Sequence, residues 1–480
     1  MAMDKDALLE SISDLELRKQ NLLRELDDVN LELGVQRAQY SRLLNDDSLV
    51  YRLPNELLTG ILINYQRSVR YSKPGIIPFQ VTASHVSHRW RDLVLSTPLL
   101  WNTIDFRIRP TNHVQGRILS QLEAYLTRSD ACFLDIILDI HIVDDLSSYF
   151  NLLAAHSRRW RRLSIATRYE QVDDIQNLLK NIQTTGFEHL SITLGRPQEG
   201  SLSPRKPYAT ISPTIFLAGC PSLTFVRLAG MALGNLHPPL ITVTTLHLDG
   251  WTRNFMTHDQ LKAILEASIS LVNLSLNQLH IHHSRDPLEV IHPVKLLNLQ
   301  CLRLRGPCSP VSRLLSLMDT PKLHSLSLQD IDTFDSDILP SVEWLSIDSC
   351  ALDDLEVAHL FRSFPSVEFL GIDESLPDIY YMLHPDFDDH KPHPWPRLRT
   401  ISLRNLQAID VPHLCHLVFS LQQSNKSPLG KVCLDRRSRT VLRAKHRLDW
   451  LQDRLKVEHC DVPEPWPLGL GYEDTHDLLE

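Results

Sequence analysis

At 480 residues the chain has room for two to four domains and a sizeable core. Apolar residues at 43% and charged residues at 22% are ordinary for a soluble globular protein. A formal net charge of −9 argues against a nucleic-acid backbone as the main partner.

The opening, Met1 to Asp6, is acidic and carries no apolar run, so no secretory leader is expected. The greasiest stretch, Ala131 to Val143, is interrupted by Asp135, Asp139 and His141, and no membrane span is expected. The cysteines (Cys132, Cys220, Cys301, Cys308, Cys350, Cys415, Cys433 and Cys460) form no CxxC pair. Most sit within apolar runs, where Cys behaves as a small hydrophobe. That is the pattern of a reducing compartment, cytoplasmic and/or nuclear.

Residues 8 to 44 contain no proline and one glycine, Gly34. With Leu8 at a d position, the ladder runs Leu8, Ile12, Leu15, Lys19, Leu22, Leu26, Val29, Leu33, Gln36, Tyr40, Leu43. Only Lys19 and Gln36 break it, and the register holds for about five heptads, the narrow seam of a coiled coil. Lys19 at an a position costs stability and favours one register and a low oligomer state. The pattern predicts a coiled-coil helix over 1–45 that pairs with itself through 8–44. A long helix folded back on its own chain is the alternative.

After a break at Asn45-Asp46-Asp47-Ser48 comes Leu53-Pro54-Asn55-Glu56-Leu57-Leu58, with Ile61 and Leu62 at helical spacing. Pro54 suits a first helical position, where its missing N–H costs nothing. A second helix carries Val86, Trp90, Leu93 and Val94 on one face, and Pro98 and Trp101 follow it. Such a helix hairpin holds more apolar surface than it can hide between its two members. The surplus must face the rest of the chain or a partner.

The spacing LP-x-E-L-L-x-x-I-L, then V-x-x-x-W-R-x-L and a final W, resembles the F-box, in the F-box-like form followed by STP-x-LW that is common in fungal proteins. The resemblance covers about a tenth of the chain and implies docking on a Skp-type adaptor, and through it a cullin-based ubiquitin ligase. Carried over position by position, the docking surface would be Leu53, Pro54, Leu57, Leu58, Ile61, Leu62, Val86, Trp90, Leu93 and Trp101, with Glu56 at its polar rim. Ser87 stands where the family usually has Cys. Residues 63 to 85, which include Lys73-Pro74-Gly75 and Pro78, would form a loop insertion between the halves.

Beyond Trp101 a motif keeps returning: apolar-x-x-apolar-x-apolar, often led by proline, as in Pro321-Lys322-Leu323-His324-Ser325-Leu326-Ser327-Leu328. Its central apolar residue falls at Leu163, Leu190, Val226, Leu246, Leu274, Leu302, Leu326, Leu345, Leu370 and Ile401, about 26 residues apart on average. Period-2 apolar positions make short strands with one buried face, and stacking them builds a continuous core. The resemblance here is to irregular leucine-rich repeats. Amphipathic stretches at Gln121–Ser129, Leu261–Leu265 and Leu314–Leu317 read as helices between strands. A further helix carrying Val441, Ala444, Leu448, Leu451 and Leu455 is expected to close the array. The expected fold is therefore α/β. It comprises a coiled-coil helix (1–45), an F-box-like domain (50–103), a leucine-rich-repeat solenoid with a parallel sheet and linking helices (104–460), and a flexible acidic tail (461–480).

No phosphate loop, HExxH or GxSxG nucleophile elbow is present. The densest histidine clusters, His384 to His393 and His280 to His283, have no helix to fix ligand geometry, and no metal or cofactor is expected. Arg158-Arg159-Trp160-Arg161-Arg162 reads as a solvated face rather than a phosphate grip. The chain is expected to be a non-catalytic substrate receptor for an unknown protein; a coiled-coil scaffold whose F-box-like pair is internal core is the competing reading. On the outward strand positions the large aromatics Trp344 and Phe369 stand out. They belong to successive repeats, which makes them the candidate substrate-binding pair unless the chain's own loop 374–395 or its tail folds over them.

Overall fold

The computed structural model describes residues 5–46, 48–68, 77–108, 115–140, 146–195, 212–250, 255–282, 293–306, 311–331, 333–334, 337–373, 379–380, 383, 395–424 and 429–459. The acidic tail at 461–480 lies outside them. The chain divides into two units, Met1–Trp101 with Thr127–Asp130, and Asn102–Leu126 with Ala131–Glu480.

In the first unit, α1 (Lys5–Asp46) is one unbroken helix of 42 residues, about 63 Å at ~1.5 Å per residue. Every side chain from Leu8 to Leu44 is exposed, the seam leucines included, so none of the described residues buries this seam. Three helices follow where a hairpin was expected: α2 (Asn55–Ser68), α3 (Phe79–Ser84) and α4 (His88–Leu95). The interval 63–85 is thus not a plain loop. Helix α2 runs on past Leu62, and Pro78, whose ring fixes φ at −53°, leads directly into α3. The Tyr65 ring packs 4.6 Å from that of Phe79, tying the extended α2 to α3. Ser87 is the N-cap of α4 and accepts from the Trp90 amide at 3.2 Å, a task a hydroxyl performs well. Arg89 donates to Asn55 Oδ1 at 2.7 and 2.9 Å and to the carbonyls of Tyr51 and Leu53, clamping the start of α2 against α4.

In the second unit the described residues form a fourteen-stranded sheet, parallel throughout and ordered along the chain. Its strands are β1 (Thr103–Ile108), β2 (Leu134–Ile140), β3 (Trp160–Thr167), β4 (His189–Leu194), β5 (Phe225–Gly230) and β6 (Thr245–Asp249), then β8 (Asn273–Asn277), β11 (Cys301–Arg305), β13 (Ser325–Gln329), β14 (Trp344–Asp348), β15 (Phe369–Asp373), β16 (Thr400–Arg404), β17 (Lys431–Leu434) and β18 (Lys456–His459). Two short parallel pairs, β7 (Phe255–Thr257) with β9 (His280–His282) and β10 (Val294–Lys295) with β12 (Met318–Asp319), lie on the connections.

All ten expected strand centres are strands, and they stand in register: Leu163 beside Leu190, Val226 beside Leu246, Leu274 beside Leu302, Leu345 beside Leu370, Leu370 beside Ile401. This column is fully buried, as is the next one, Ile165 to Leu403. Each rung thus hides two aliphatic side chains, a gross gain of about 3–6 kcal/mol before the ordering of its connection is offset. Several strands end on a left-handed residue, among them Gln278, Gly306, Asp330, Ser349 and Asn405, with φ between 48° and 77°. Small polar residues and glycine tolerate that turn best.

The sheet is longer than the motif count predicted, gaining β1 and β2 before it and β17 and β18 after it. It begins at Thr103, inside the stretch assigned to the F-box-like domain. The single closing helix is instead α12 (Arg436–Ala444) and α13 (Leu448–Gln452), separated at His446 with φ 54°, and strand β18 follows them. Between strands lie α5 (Gln115–Arg128), α6 (Leu146–Ala154), α7 (Val172–Lys180), α8 (His258–Ala267), α9 (Val311–Ser316), α10 (Asp354–Ser363) and α11 (Asp410–Ser424). They include the helices expected near residues 121, 261 and 314.

Candidate interaction surfaces

Helix α2 presents two adjacent apolar rows. Leu58 and Leu62 are each 2% exposed, whereas Leu57 is 58% and Ile61 53% exposed. Tyr65, at 52%, continues the outer row one turn further. Near the start of α4, Val86 is exposed as well; Leu53, Trp90 and Leu93 are half-buried, and Pro54 and Glu56 are exposed. Leu58, Leu62 and Trp101 therefore belong to the core and not to any docking surface. The reason is geometric: consecutive helical residues sit 100° apart, so one of the two aliphatic rows must pack inward. Trp101 is fixed from two sides, its Nε1 donating to the Val94 carbonyl at 2.8 Å and the Arg128 guanidinium lying 4.5 Å over its ring. Tyr65, Ile77 and Leu99 are exposed apolar members of this unit that motif reading passed over.

The second surface lies on the face of the sheet opposite the leucine columns. Its residues are those flanking each buried centre, as strand alternation requires. Trp344 and Phe369 are direct cross-strand partners, and their rings stack 3.4 Å apart at 12°. Both are half-buried; of the loop and tail that could cover them, 374–378, 381–382, 384–394 and 461–480 lie outside the described residues. The Trp344 indole Nε1 is buried with no hydrogen-bond partner among the described residues. Gly371 sits beside them, where a Cβ would come within 3.2 Å of Ser346 Oγ and 3.5 Å of the Phe369 ring. Asp348 and Asp373, half-exposed, share this face.

Toward β4–β6 the same face is closed. His189 stacks on Phe225 at 4.0 Å and 5°, and Phe225 lies 5.0 Å from the His247 ring. Behind them Arg227 and Asp249 form a buried ion pair at 2.5 Å. Burial, with the nearby Arg162, His247 and Arg227 charges adding to it, holds His189 well below its usual value. Arg227, Thr245, Ser275, Cys301 and Ser325 flank the buried strand centres, where alternation turns side chains away from the leucine columns. They do lie on this face, but they are buried.

The basic run before β3 is used within the chain. Arg161 pairs with Asp135 of β2 at 2.5 Å, and Arg159 Nε donates to the Cys132 carbonyl at 3.0 Å. Burial pushes the thiols of Cys220 and Cys415 up and that of Cys350 to about 12, the opposite of an activated nucleophile. Among the described residues no group of His, Cys, Asp or Glu is placed to hold a metal ion. The cluster His384 to His393 lies outside them. No helix among them is long and apolar enough to cross a membrane. No protein-family model matches the chain, and no curated protein matches it either.

Proposed function

We propose that the chain is a non-catalytic substrate receptor of a Skp–cullin–F-box-type ubiquitin ligase, working in the cytoplasm and/or nucleus. The observation that carries this is the outer row of α2. Leu57, Ile61 and Tyr65 remain in water beside the fully buried Leu58 and Leu62, in a stretch whose spacing resembles the F-box. Leaving three large apolar groups along one helix face is costly for an isolated unit, and an adaptor that covers them removes that cost. Leu53, Pro54, Val86, Trp90 and Leu93 complete the surface, with Glu56 at its rim.

In this reading the fourteen parallel strands form an irregular leucine-rich-repeat solenoid, and the stacked Trp344 and Phe369 receive the protein substrate. A half-exposed aromatic step suits an apolar anchor, and Asp348 and Asp373 on the same face favour a basic neighbour for it. The contribution to ubiquitin transfer is proximity. Holding an acceptor lysine near the charged ubiquitin carrier raises its effective concentration, and no bond is made or broken on this chain. Co-purification of the full chain with a Skp-type adaptor tests the reading. Absence of a complex at micromolar concentrations would return the three helices to the role of internal scaffold.

A further inference from the structure

Helix α1 exposes an apolar seam from Leu8 to Leu43, and its two polar interruptions decide what covers it. We propose that α1 pairs with α1 of a second copy in antiparallel orientation, with Lys19 of each copy facing Gln36 of the other. The inference does not depend on the ubiquitin-ligase reading.

Antiparallel coiled coils set a positions against d positions, so every layer joins two different residues of the sequence. In the proposed register Ile12 meets Leu43, Leu15 meets Tyr40, Leu22 meets Leu33 and Leu26 meets Val29. The one remaining layer joins Lys19 to Gln36, whose side-chain carbonyl accepts from the ammonium. The two polar interruptions of the seam thus find each other. Sliding by one heptad in either direction sets Lys19 against Val29 or Leu43, and Gln36 against Ile12 or Leu26. Each slip leaves two polar groups in apolar layers.

A parallel in-register pair fares worse at the same place. It sets Lys19 against Lys19, with Arg18 of both chains flanking that layer. Along the flanks the antiparallel pair sets Glu16 beside Arg37 and lets Leu9 cover Leu44; it also sets Glu25 near Glu32. The parallel pair gains Glu32 beside Arg37. These rim charges are exposed and weigh little against two cations desolvated in one core layer. The two chains leave such a seam at opposite ends, about 55 Å apart at ~1.5 Å per residue, so the remainders of the two copies do not converge on one another.

Cysteine cross-linking in the full chain tests orientation directly. Ile12→Cys, Leu43→Cys and the double variant are oxidised and compared with wild type on non-reducing gels. The antiparallel register brings position 12 of one copy to position 43 of the other, within disulfide reach. Within one helix those positions are about 46 Å apart, so no intrachain bond competes. Cross-linked dimer in the double variant alone, with both single variants at the wild-type level, is the expected result. Cross-linking by either single variant, or none by the double, overturns the proposal. A second measurement is charge reversal. Glu16→Arg should raise the dimer dissociation constant about tenfold, and adding Arg37→Glu should restore it. Failure of rescue, or a wild-type chain that sediments as a monomer at tens of micromolar, counts equally against it.

Discussion

Leu57→Asp with Ile61→Asp probes the outer face of α2 apart from the inner one, because these side chains are far less buried than Leu58 and Leu62. The side chains are 58% and 53% exposed, so roughly half of each is already hidden and the other half remains for a partner. A fully buried aliphatic side chain is worth about 1.5–3 kcal/mol, which leaves about 2–3 kcal/mol for the pair. Two carboxylates pressed against an apolar adaptor surface add a desolvation cost on top. The expected loss of adaptor affinity is therefore at least about 30- to 100-fold. The free protein should lose about 2–4 kcal/mol, from the hidden half of the two side chains together with the difference in helix propensity between Asp and Leu or Ile. Leu58→Asp is the matched control one residue away. It buries a carboxylate in the core and should unfold the first unit. Calorimetric titration against a purified Skp-type adaptor reads affinity, and thermal melting followed by circular dichroism reads stability. Adaptor affinity within threefold of wild type for the outer-face variant would refute the docking assignment. A folded Leu58→Asp protein would refute the assignment of faces.

Three further outcomes are expected. Asp249→Ala removes the carboxylate from the buried Arg227 guanidinium and should cost about 3–5 kcal/mol, read from the urea midpoint; a loss below about 1 kcal/mol would mean the charge is solvated there. Stability should also fall in mild acid. The unfolded His189 imidazole takes up a proton near pH 6.5 while the folded one, held well below that, does not. Below pH 6.5 the unfolded state is therefore favoured by about 1.4 kcal/mol per pH unit, down to the folded value, and His189→Phe should flatten this limb in pH-dependent melts. His237, lowered by burial, adds a smaller share that the variant leaves in place. Trp344→Ala with Phe369→Ala should cost the fold about 3–5 kcal/mol, since most of both rings is packed, and weaken protein-substrate capture by about 2–4 kcal/mol, with adaptor binding unchanged; equal capture by wild type and variant in pull-downs would rule this surface out.

What could be read in advance follows from which signals are local. The strands centred on Leu326, Leu345, Leu370 and Ile401 announce themselves, because a proline and one further residue precede an apolar triplet of fixed spacing. Strand β2 does not: Leu134 to Ile140 is apolar almost throughout, and its Asp135 and Asp139 read as interruptions until the pleat assigns them to the outer face. Strands β17 and β18 are only four residues each; β18 lacks the leading proline, and the match at Pro428, Leu429, Val432 and Leu434 before and within β17 was passed over. The pairing of Trp344 with Phe369 was legible because both precede a strand centre by one residue. The closed ladder of His189, Phe225 and His247 was not. Its members are ordinary residues one by one, and only the register brings the rings into contact. Helix α3 was hidden by its neighbours, since Pro74, Gly75 and Pro78 mark the whole interval as loop although Phe79 to Ala83 carry helical spacing. On α2 the pattern identifies two aliphatic rows but cannot rank them. That choice depends on where α4 and Trp101 come to lie, which is tertiary information.

The exposed apolar residues gain their meaning from how completely the rest is packed. Along the strands the leucine columns are hidden to within a few per cent of their surface, and even the opposite face closes wherever His189, Phe225 and Arg227 fill it. A chain that finishes its core so thoroughly does not leave Leu57, Ile61 and Trp344 outside for want of room. Nor do the described residues bury the α1 seam, since every side chain from Leu8 to Leu44 is exposed. Stability therefore constrains these three places less than the leucine columns, and each can change at a smaller cost to the rest. Polar substitution at any one of them should leave the melting of the other parts unaltered and abolish a single association. If instead the three failed together, they would have to be parts of one continuous surface, and the division of labour between self-pairing, adaptor docking and substrate capture would be wrong.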